Sequence, residues 1–353
     1  MKVPDGPLIA AIETSCDDTS VAVVRAGREE LALTSQTQIE PHAAMGGIVP
    51  ESAARIHVEA IDAVWKACLS EAAVDAAELD GLAVTQGPGL PGSLLVGLGF
   101  AQGLAFALDR PLIPVNHLEG HFASPWLNDG DPPEFPLMAL IVSGGHTELV
   151  HGAAPGEYRV IGRTRDDAAG EAFDKVARML GLSYPGGPAI QQAAAGRDGS
   201  PFELPRAWLP GTSDFSFSGL KTAVRRLVHD ELGPVEAERI GAAHDGAAGT
   251  DDPEFVADVA YAFEVSVVDV LVAKSVRAAR QMRAAAITLT GGVAANARLR
   301  AALDEASPVP VHVPALKHCV DNASMIAVAG TWRLARGEVA TGPLEPEPGL
   351  ALA

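Results

Sequence analysis

The chain has 353 residues, enough for two domains of ordinary size. Apolar residues make up 48% of it, which argues against disorder, and a net charge of −19 argues against a large autonomous nucleic-acid footprint without excluding local basic patches. Its three cysteines, Cys16, Cys68 and Cys319, lie far apart with no Cys-x-x-Cys, which suits a reduced cytoplasmic protein and not a disulfide framework.

The N-terminal apolar run is short and meets Glu13, which argues against a secretory signal. The chain then opens on Leu8 to Ile12, a polar turn (Glu13-Thr14-Ser15-Cys16-Asp17-Asp18), Ser20 to Val24 and Leu31 to Ser35. These short β-rich runs between turn residues predict a meander. Helical pattern runs from about Glu51 to Ser70. A strand, Leu82 to Thr85, enters Gly87-Pro88-Gly89-Leu90-Pro91-Gly92. The apolar stretch Leu94 to Leu108 follows. That stretch is shorter than the ~20 residues a bilayer requires and is interrupted by Gln102, so it reads as a buried helix, and no membrane contact is expected. Leu112 to Val115 is the next strand and leads into His117-Leu118-Glu119-Gly120-His121.

The second half opens the same way, with strands at Leu137 to Val142, Thr147 to His151 and Tyr158 to Gly162. Helical stretches are predicted at Ala169 to Leu180, Phe217 to His229 and about Asp252 to Ala284. A strand at Ile287 to Thr290 enters Gly291-Gly292 and a helix from about Ala294. Val309 to Val313 is the last strand, and Asn322 to Ala335 the last helix. Glu231 to Thr250 reads as a surface excursion. The pattern of three strands followed by alternating helices and strands occurs twice, predicting two mixed α/β lobes with a cleft between them. The expected boundaries are 1–130, 131–337 and a flexible tail, 338–353.

Two imidazoles four residues apart, His117 and His121, stack on one helical face, as a borderline transition metal requires. Glu119 points about 200° around the helix from His117, away from that face. A zinc protease places its Glu directly after the first His, so the segment looks metal-dependent without looking like a peptidase. Four turns that follow strands carry Gly or small polar residues: Thr14 to Thr19, Gly87 to Gly92, Ser143 to Thr147 and Gly291 to Asn296. Glycine permits close backbone approach, and a following helix offers free N–H groups to an anion, so a nucleotide gripped between two halves is expected. Neither the Walker pattern nor a Gly-x-Gly-x-x-Gly fingerprint after the first strand is present. The acidic cluster Asp166 to Lys175 could meet ribose hydroxyls or serve a helix start, with Asp174 paired to Arg178. Tyr184-Pro185-Gly186-Gly187-Pro188 reads as a rigid turn over a flat base. Asp321 could cap the last helix or complete a metal site.

Together these residues resemble the TsaD family of tRNA N6-adenosine threonylcarbamoyltransferases, once described as O-sialoglycoprotein endopeptidases. The likeness runs from Ile9 to about Ala335. It rests on Ile12-Glu13-Thr14-Ser15-Cys16-Asp17, Gly87-Pro88-Gly89-Leu90, Asn116-His117-Leu118-Glu119-Gly120-His121 and Val142-Ser143-Gly144-Gly145-His146-Thr147. Phe215-Ser216-Phe217-Ser218-Gly219-Leu220-Lys221, Gly291-Gly292-Val293-Ala294-Ala295-Asn296 and Asp321-Asn322 complete it.

The resemblance implies the two-lobed actin/Hsp70/sugar-kinase (ASKHA) fold, each lobe a ribonuclease-H-like mixed α/β sheet with flanking helices. It implies transfer of threonylcarbamoyl from threonylcarbamoyl-AMP to N6 of the adenine 3′ to the anticodon in ANN-decoding tRNAs, with release of AMP. His117, His121 and Asp321 would hold one divalent ion, Fe(II) or Zn. Ile141, Val142, Ser143, Gly144 and Gly145 would meet the phosphate and acyl part of the donor, Asp174 the ribose, and Gly187 and Asn296 the nucleoside. The implied partners are a smaller paralogue, TsaB, and an ATPase, TsaE, with the donor supplied by a separate synthase.

Four positions depart from the family pattern: Asp18, Val320, Gln191 and Ala54. None is an expected metal ligand. No general base is assigned; Glu13 and Asp17 are candidates, with turn capping an equal reading of each. Lys221, Arg225 and Arg226, and Arg277, Arg280 and Arg283, form basic helical clusters that suit RNA or an ordinary solvated face. Given the acidic balance, RNA affinity is expected to be weak alone and to depend on partners and low salt. The competing classes are a kinase or ATPase of the same fold, a metalloendopeptidase acting through Glu119, and a non-catalytic scaffold.

Overall fold

A computed structural model describes residues 6–44, 48–233 and 252–352. Two five-stranded mixed sheets form its frame, and both have the same strand order. In the first, β1 (Leu8–Glu13) is central. It pairs antiparallel with β2 (Asp18–Arg25), which pairs antiparallel with β3 (Glu29–Thr37). On its other side β1 pairs parallel with β4 (Gly81–Gly87), and β4 with β5 (Leu112–Asn116). In the second, β6 (Leu137–Val142) is central. It is flanked by β7 (Thr147–Ala154) and β8 (Glu157–Arg163) on one side and by β9 (Ala286–Thr290) and β10 (Val311–His312) on the other. Central strands that are covered on both faces read as continuous apolar runs, and every residue of β1 and of β6 is buried.

The first unit comprises Met1–Pro133, Ala154–Tyr158 and Pro314–Ala353. One face of its sheet packs on α2 (Pro50–Ala72) and α3 (Pro91–Leu108). Ile12, Leu82 and Val84 there meet Ile61, Val64, Trp65, Leu98 and Ala101 in one core. Proline at the first position starts both helices, where a missing N–H leaves no bond unmade. The last helix, α11 (Ala323–Ala335), covers the other face. Its residues Ala323 to Gly330 are all buried, so it needs cover on every side. Gly330 makes that seat possible: a Cβ there would come within 2.6 Å of Ala83 Cβ. The segment from Pro314 onward therefore belongs with the first unit, where the sequence boundaries assign it to the second half.

The tail differs from expectation too. Residues 338–352 are anchored along the first unit: Ala340 N bonds Leu112 O, Glu347 N bonds Gln86 O, and Leu352 is buried. Backbone bonds to a sheet edge and a glycine turn give the Pro-rich tail an order that its composition alone does not supply. The apolar helix α3 is half-buried, not buried. Leu94, Leu98, Ala101 and Ala105 face the core, whereas Leu95, Gly99, Gly103 and Phe106 are exposed, Phe106 at 91%. It is the one helix among the described residues long and apolar enough to cross a membrane by length and composition.

The second unit comprises Glu134–Ala153 and Arg159–Val313. Its helices are α5 (Ala169–Met179), α6 (Gly186–Ala193), α7 (Ser218–Leu232), α8 (Pro253–Met282) and α9 (Ala297–Ala306). α6 is a helix where the sequence suggested only a turn, because Asp174 Oδ1 accepts the Gly186 N–H and so ties its start to α5. Most of the expected surface excursion, from 234 to 250, lies outside the described residues.

Candidate metal centre and nucleotide turns

The short helix α4 (His117–Ala123) follows β5 directly. Asn116 caps it, its Oδ1 accepting from Leu118 N at 2.8 Å. His117 and His121 fall on one face with ring centroids 4.7 Å apart. Gly120 lies against α11: a Cβ there would sit 2.7 Å from Ile326 Cδ1 and 3.1 Å from Met325 Cγ. Glycine thus lets the two helices approach, and the approach carries Asp321 to the histidines. Asp321 Oδ1 is 3.1 Å from His121 Nε2 and 3.5 Å from His117 Nε2. The three ligand atoms all lie within 4.8 Å of one another. Asn322, not Asp321, caps α11 by accepting from Met325 N, which leaves the aspartate to the histidines.

Behind the ligands stands Glu13. Its Oε2 lies 2.9 Å from His117 Nδ1 and also accepts from Thr85 Oγ1, while Oε1 accepts from Ser15 N. A carboxylate only accepts, so a proton sits on Nδ1, and Nε2 is the ring nitrogen turned to Asp321's side, free to ligate a metal once its own proton is lost. Burial works against charge on His117, but Asp321 and Glu13 outweigh it and raise its pKa well above the usual histidine value. Burial and the neighbouring His117 lower that of His121. Asp321 is held well below the ordinary carboxylate range: burial opposes this, and His117 and His121 overcome it. Two imidazoles and one carboxylate form a three-donor set that fits one divalent transition ion.

Glu119 is turned away from this cluster, as the helical phase predicts. It is buried, and its Oε2 accepts from Arg333 Nε at 2.6 Å and its Oε1 from Tyr158 OH at 3.1 Å. It has no access to a water on the histidine face, which removes the basis for peptidase chemistry.

In the first unit, the Gly87 to Gly92 turn packs against the Thr14 to Thr19 turn and the tail. A Cβ on Gly89 would meet Ser15 O at 2.6 Å, and one on Gly87 would meet Glu347 O at 1.9 Å. Gly89 N bonds Pro348 O, and Leu90 N bonds Ser15 O. These glycines serve close packing of the first turn and the tail.

The turns of the second unit are open. Gly144, Gly145, Gly187 and Gly292 have no atom within 4 Å of a Cβ position. Ile141 and Val142 end β6, and Ser143 closes the turn, its Oγ accepting from His146 N. Gly170 at the start of α5 approaches so closely that a Cβ would meet Ser143 O at 2.6 Å. Gly291, at φ +91, touches Val142 O and brings the second turn to the same sheet end. Asn296 caps α9 through Oδ1 and donates from Nδ2 to Glu264 Oε1 at 2.7 Å.

Other expected residues have structural work. Asp166 accepts from Phe217 N, Ser216 Oγ and Ser218 Oγ, and so holds the start of α7. Lys221 pairs with Asp167 and Arg226 with Asp230, and Arg277 donates to Thr212 O. Gln191 accepts from Ala297 N. With both Glu13 oxygens engaged, it is poorly placed to take a substrate proton.

Around the site, sequence reasoning missed His57, the burial of Asp18, and Glu264. His57 is fully buried, donating from Nε2 to Cys16 O and accepting from Thr19 Oγ1, which fixes the first turn. Asp18 has a buried Oδ1 without a partner, and burial with the charge of Asp17 pushes its pKa up to about 7. Glu264 is buried beneath Asn296 and paired with Arg298 at 2.8 Å. Only Asp18 left a signal, as a departure from the usual acidic turn.

The family model described as TsaD, tRNA N6-adenosine threonylcarbamoyltransferase, matches residues 29–328. The chain belongs to the TsaD family. A tRNA N6-adenosine threonylcarbamoyltransferase from Thermomicrobium roseum is 51% identical, over 94% of this chain and 93% of that protein. One from Geobacillus kaustophilus is 49% identical, over 98% and 96%. Among solved structures, HypF of T. kodakarensis superposes with a TM-score of 0.58 at 16% identity, covering 98% of this chain and 50% of that one. Component A of the Acidaminococcus fermentans (R)-2-hydroxyglutaryl-CoA dehydratase gives 0.51 at 13% identity, covering 94% and 98%. Such likenesses speak to fold alone, and with the two equivalent sheets they establish the expected actin/Hsp70/sugar-kinase class.

Proposed function

We propose that this TsaD-family transferase moves threonylcarbamoyl from threonylcarbamoyl-AMP to N6 of the adenine 3′ to the anticodon in ANN-decoding tRNAs and releases AMP. The observation that carries the reading is the convergence of His117, His121 and Asp321, three residues of a family motif set drawn from distant parts of the chain. The donor is a mixed anhydride and already activated, so the protein must supply position and charge stabilisation. We assign Fe(II) or Zn to the three ligands; such an ion supplies Lewis-acid polarisation of the carbamoyl oxygen or a seat for the threonyl carboxylate. Glu13 fixes the tautomer of His117, and Asn322 relieves Asp321 of capping.

For the nucleotide end we assign Ile141, Val142, Ser143, Gly144 and Gly145, where Gly144 and Gly145 leave room for close approach of the phosphate to the backbone. Asp174 is assigned to ribose, and Gly187 and Asn296 to the nucleoside. A paralogue of the TsaB type and a TsaE-type ATPase are the proposed partners, in the cytoplasm. A protein partner suits the exposed stripe Leu95, Gly99, Gly103 and Phe106 on α3, an apolar face with small residues that permit close approach.

The test is reconstitution: protein, partners, threonylcarbamoyl-AMP and tRNA, with mass spectrometry of the nucleosides. Modified adenosine should appear with the wild-type chain and vanish when His117 and His121 are both Ala, while circular dichroism stays native. Full activity in that double variant would remove the metal from the mechanism.

A further inference from the structure

Glu30, on β3, has a side chain only 12% exposed, yet it accepts three hydrogen bonds from a single stretch of chain far away in sequence. Oε2 accepts from His318 Nε2 at 2.6 Å and from Ser324 Oγ at 2.5 Å, and Oε1 accepts from Lys317 Nζ at 2.5 Å. These donors stand four and three residues before Asp321 and three after it. One carboxylate therefore gathers both ends of the loop that presents the metal ligand.

The loop is also held by buried Cys319 and by the Asn322 cap, but its tip is open. Val320 is 46% exposed, and Asn322 Nδ2 donates within the loop, to Val320 O. Ala323 N also reaches the sheet, through Ser20 Oγ, which is bonded in turn to Ser35 Oγ. Lys317 is mostly exposed and contributes little to such a clamp. His318 and Ser324 are buried, and without Glu30 their donors would be left unmatched, so the loop would have to move to satisfy them.

We infer that Glu30 is a positioning residue for Asp321, holding the 317–324 loop so that the aspartate meets the two histidines, and that it thereby sets the affinity of the chain for a divalent ion. The inference rests on the metal reading above. It assigns Glu30 no contact with substrate or ion. Residues that orient a ligand characteristically change metal affinity by about 10–100-fold when removed.

The experiment is a double-mutant cycle read by zinc competition against a chromogenic chelator, on the full chain. Glu30→Ala should weaken zinc binding by about 10–100-fold, and Glu30→Gln by less, since an amide oxygen still accepts. In an Asp321→Ala background, Glu30→Ala should change affinity no further, because the ligand it positions is gone. Glu29→Gln, one residue away and paired with Arg25 instead of the loop, should leave affinity unchanged. Should Glu30→Ala fail to fold, Ser324→Ala, which removes one donor, carries the same test with a loss of a few fold. If Asp321→Ala weakens zinc binding while the Glu30 and Ser324 variants do not, or if their effect persists undiminished in the Asp321→Ala background, the positioning role is overturned. If Asp321→Ala itself leaves zinc binding intact, the metal reading fails instead.

Discussion

The carboxylate of Glu13 accepts from His117 Nδ1 at 2.9 Å, across 104 residues of chain. This bond settles which nitrogen of His117 faces Asp321, since the proton is fixed on the far side of the ring. Glu13→Ala should therefore lower divalent-metal affinity by about 10–100-fold, the usual loss when the group behind a histidine ligand is removed. Glu13→Gln should cost less, because its amide oxygen still accepts from Nδ1. Calorimetric titration with zinc checks both, and equal affinities in the Ala variant and the wild type would refute the arrangement.

Gly120 is the contact at which α4 and α11 meet. Gly120→Ala gains helix propensity of about 1 kcal/mol, yet its methyl would overlap Ile326 and Met325. The nearest neighbour, Ile326 Cδ1, is the end of a side chain and can give way, so overpacking of roughly 1–3 kcal/mol is expected and the net loss of stability is about 1 kcal/mol. The larger effect should fall on metal affinity, because any separation of the helices pulls Asp321 from the histidines. Urea unfolding beside zinc titration separates the two. A variant as stable as the wild type with unchanged affinity would show that the approach is not needed.

Two carboxyls give stability opposite dependences on pH. Asp18 is pushed up to about 7 from 3.8, first by burial. Its folded form holds a proton that the unfolded chain has lost, so stability falls as pH rises between about 4 and 7. Glu30 is lowered from 4.5 to about 2: burial opposes this, and hydrogen bonds from His318, Lys317 and Ser324 overcome it. Its contribution is present above 4.5 and is lost as pH falls towards 2. Asp18→Asn should flatten the slope between pH 5 and 7 by on the order of 1–3 kcal/mol, and Glu30→Gln should flatten the acid limb by a similar amount. Denaturant midpoints measured across that range decide it; an unchanged slope in Asp18→Asn would place its ionisation elsewhere.

Much of this was legible in the sequence because the fold repeats one apolar rhythm. Unbroken runs such as Leu8 to Ile12 and Leu137 to Val142 mark strands covered on both faces, and both sheets follow from them. The histidine pair was legible from its spacing alone. Asp321 was ambiguous, because an aspartate before a helix reads as a cap; in the folded chain Asn322 takes that role. The tail and the Gly87–Gly92 turn were misread for a shared reason. Their meaning lies in each other, Glu347 and Pro348 against Gly87 and Gly89, and no local pattern encodes a contact 260 residues away. Glu30 was silent for the same reason, since its three partners lie almost 300 residues on.

Asn116 joins the tail to the metal helix, and its two ends can be tested apart. Its Oδ1 caps α4, while its Nδ2 donates to Leu350 O and Ala351 O. Asn116→Ala loses both functions and should cost about 1 kcal/mol from the cap alone. Asn116→Asp keeps an acceptor at the helix start, where a negative charge is favourable, but loses the donor. The aspartate variant should therefore bind zinc as the wild type does while its last residues are cleaved faster by carboxypeptidase. In the alanine variant both properties should change. If the aspartate variant kept a protected tail, the bonds to Leu350 and Ala351 would not be what holds it, and the backbone contacts of Glu347 and Pro348 would suffice.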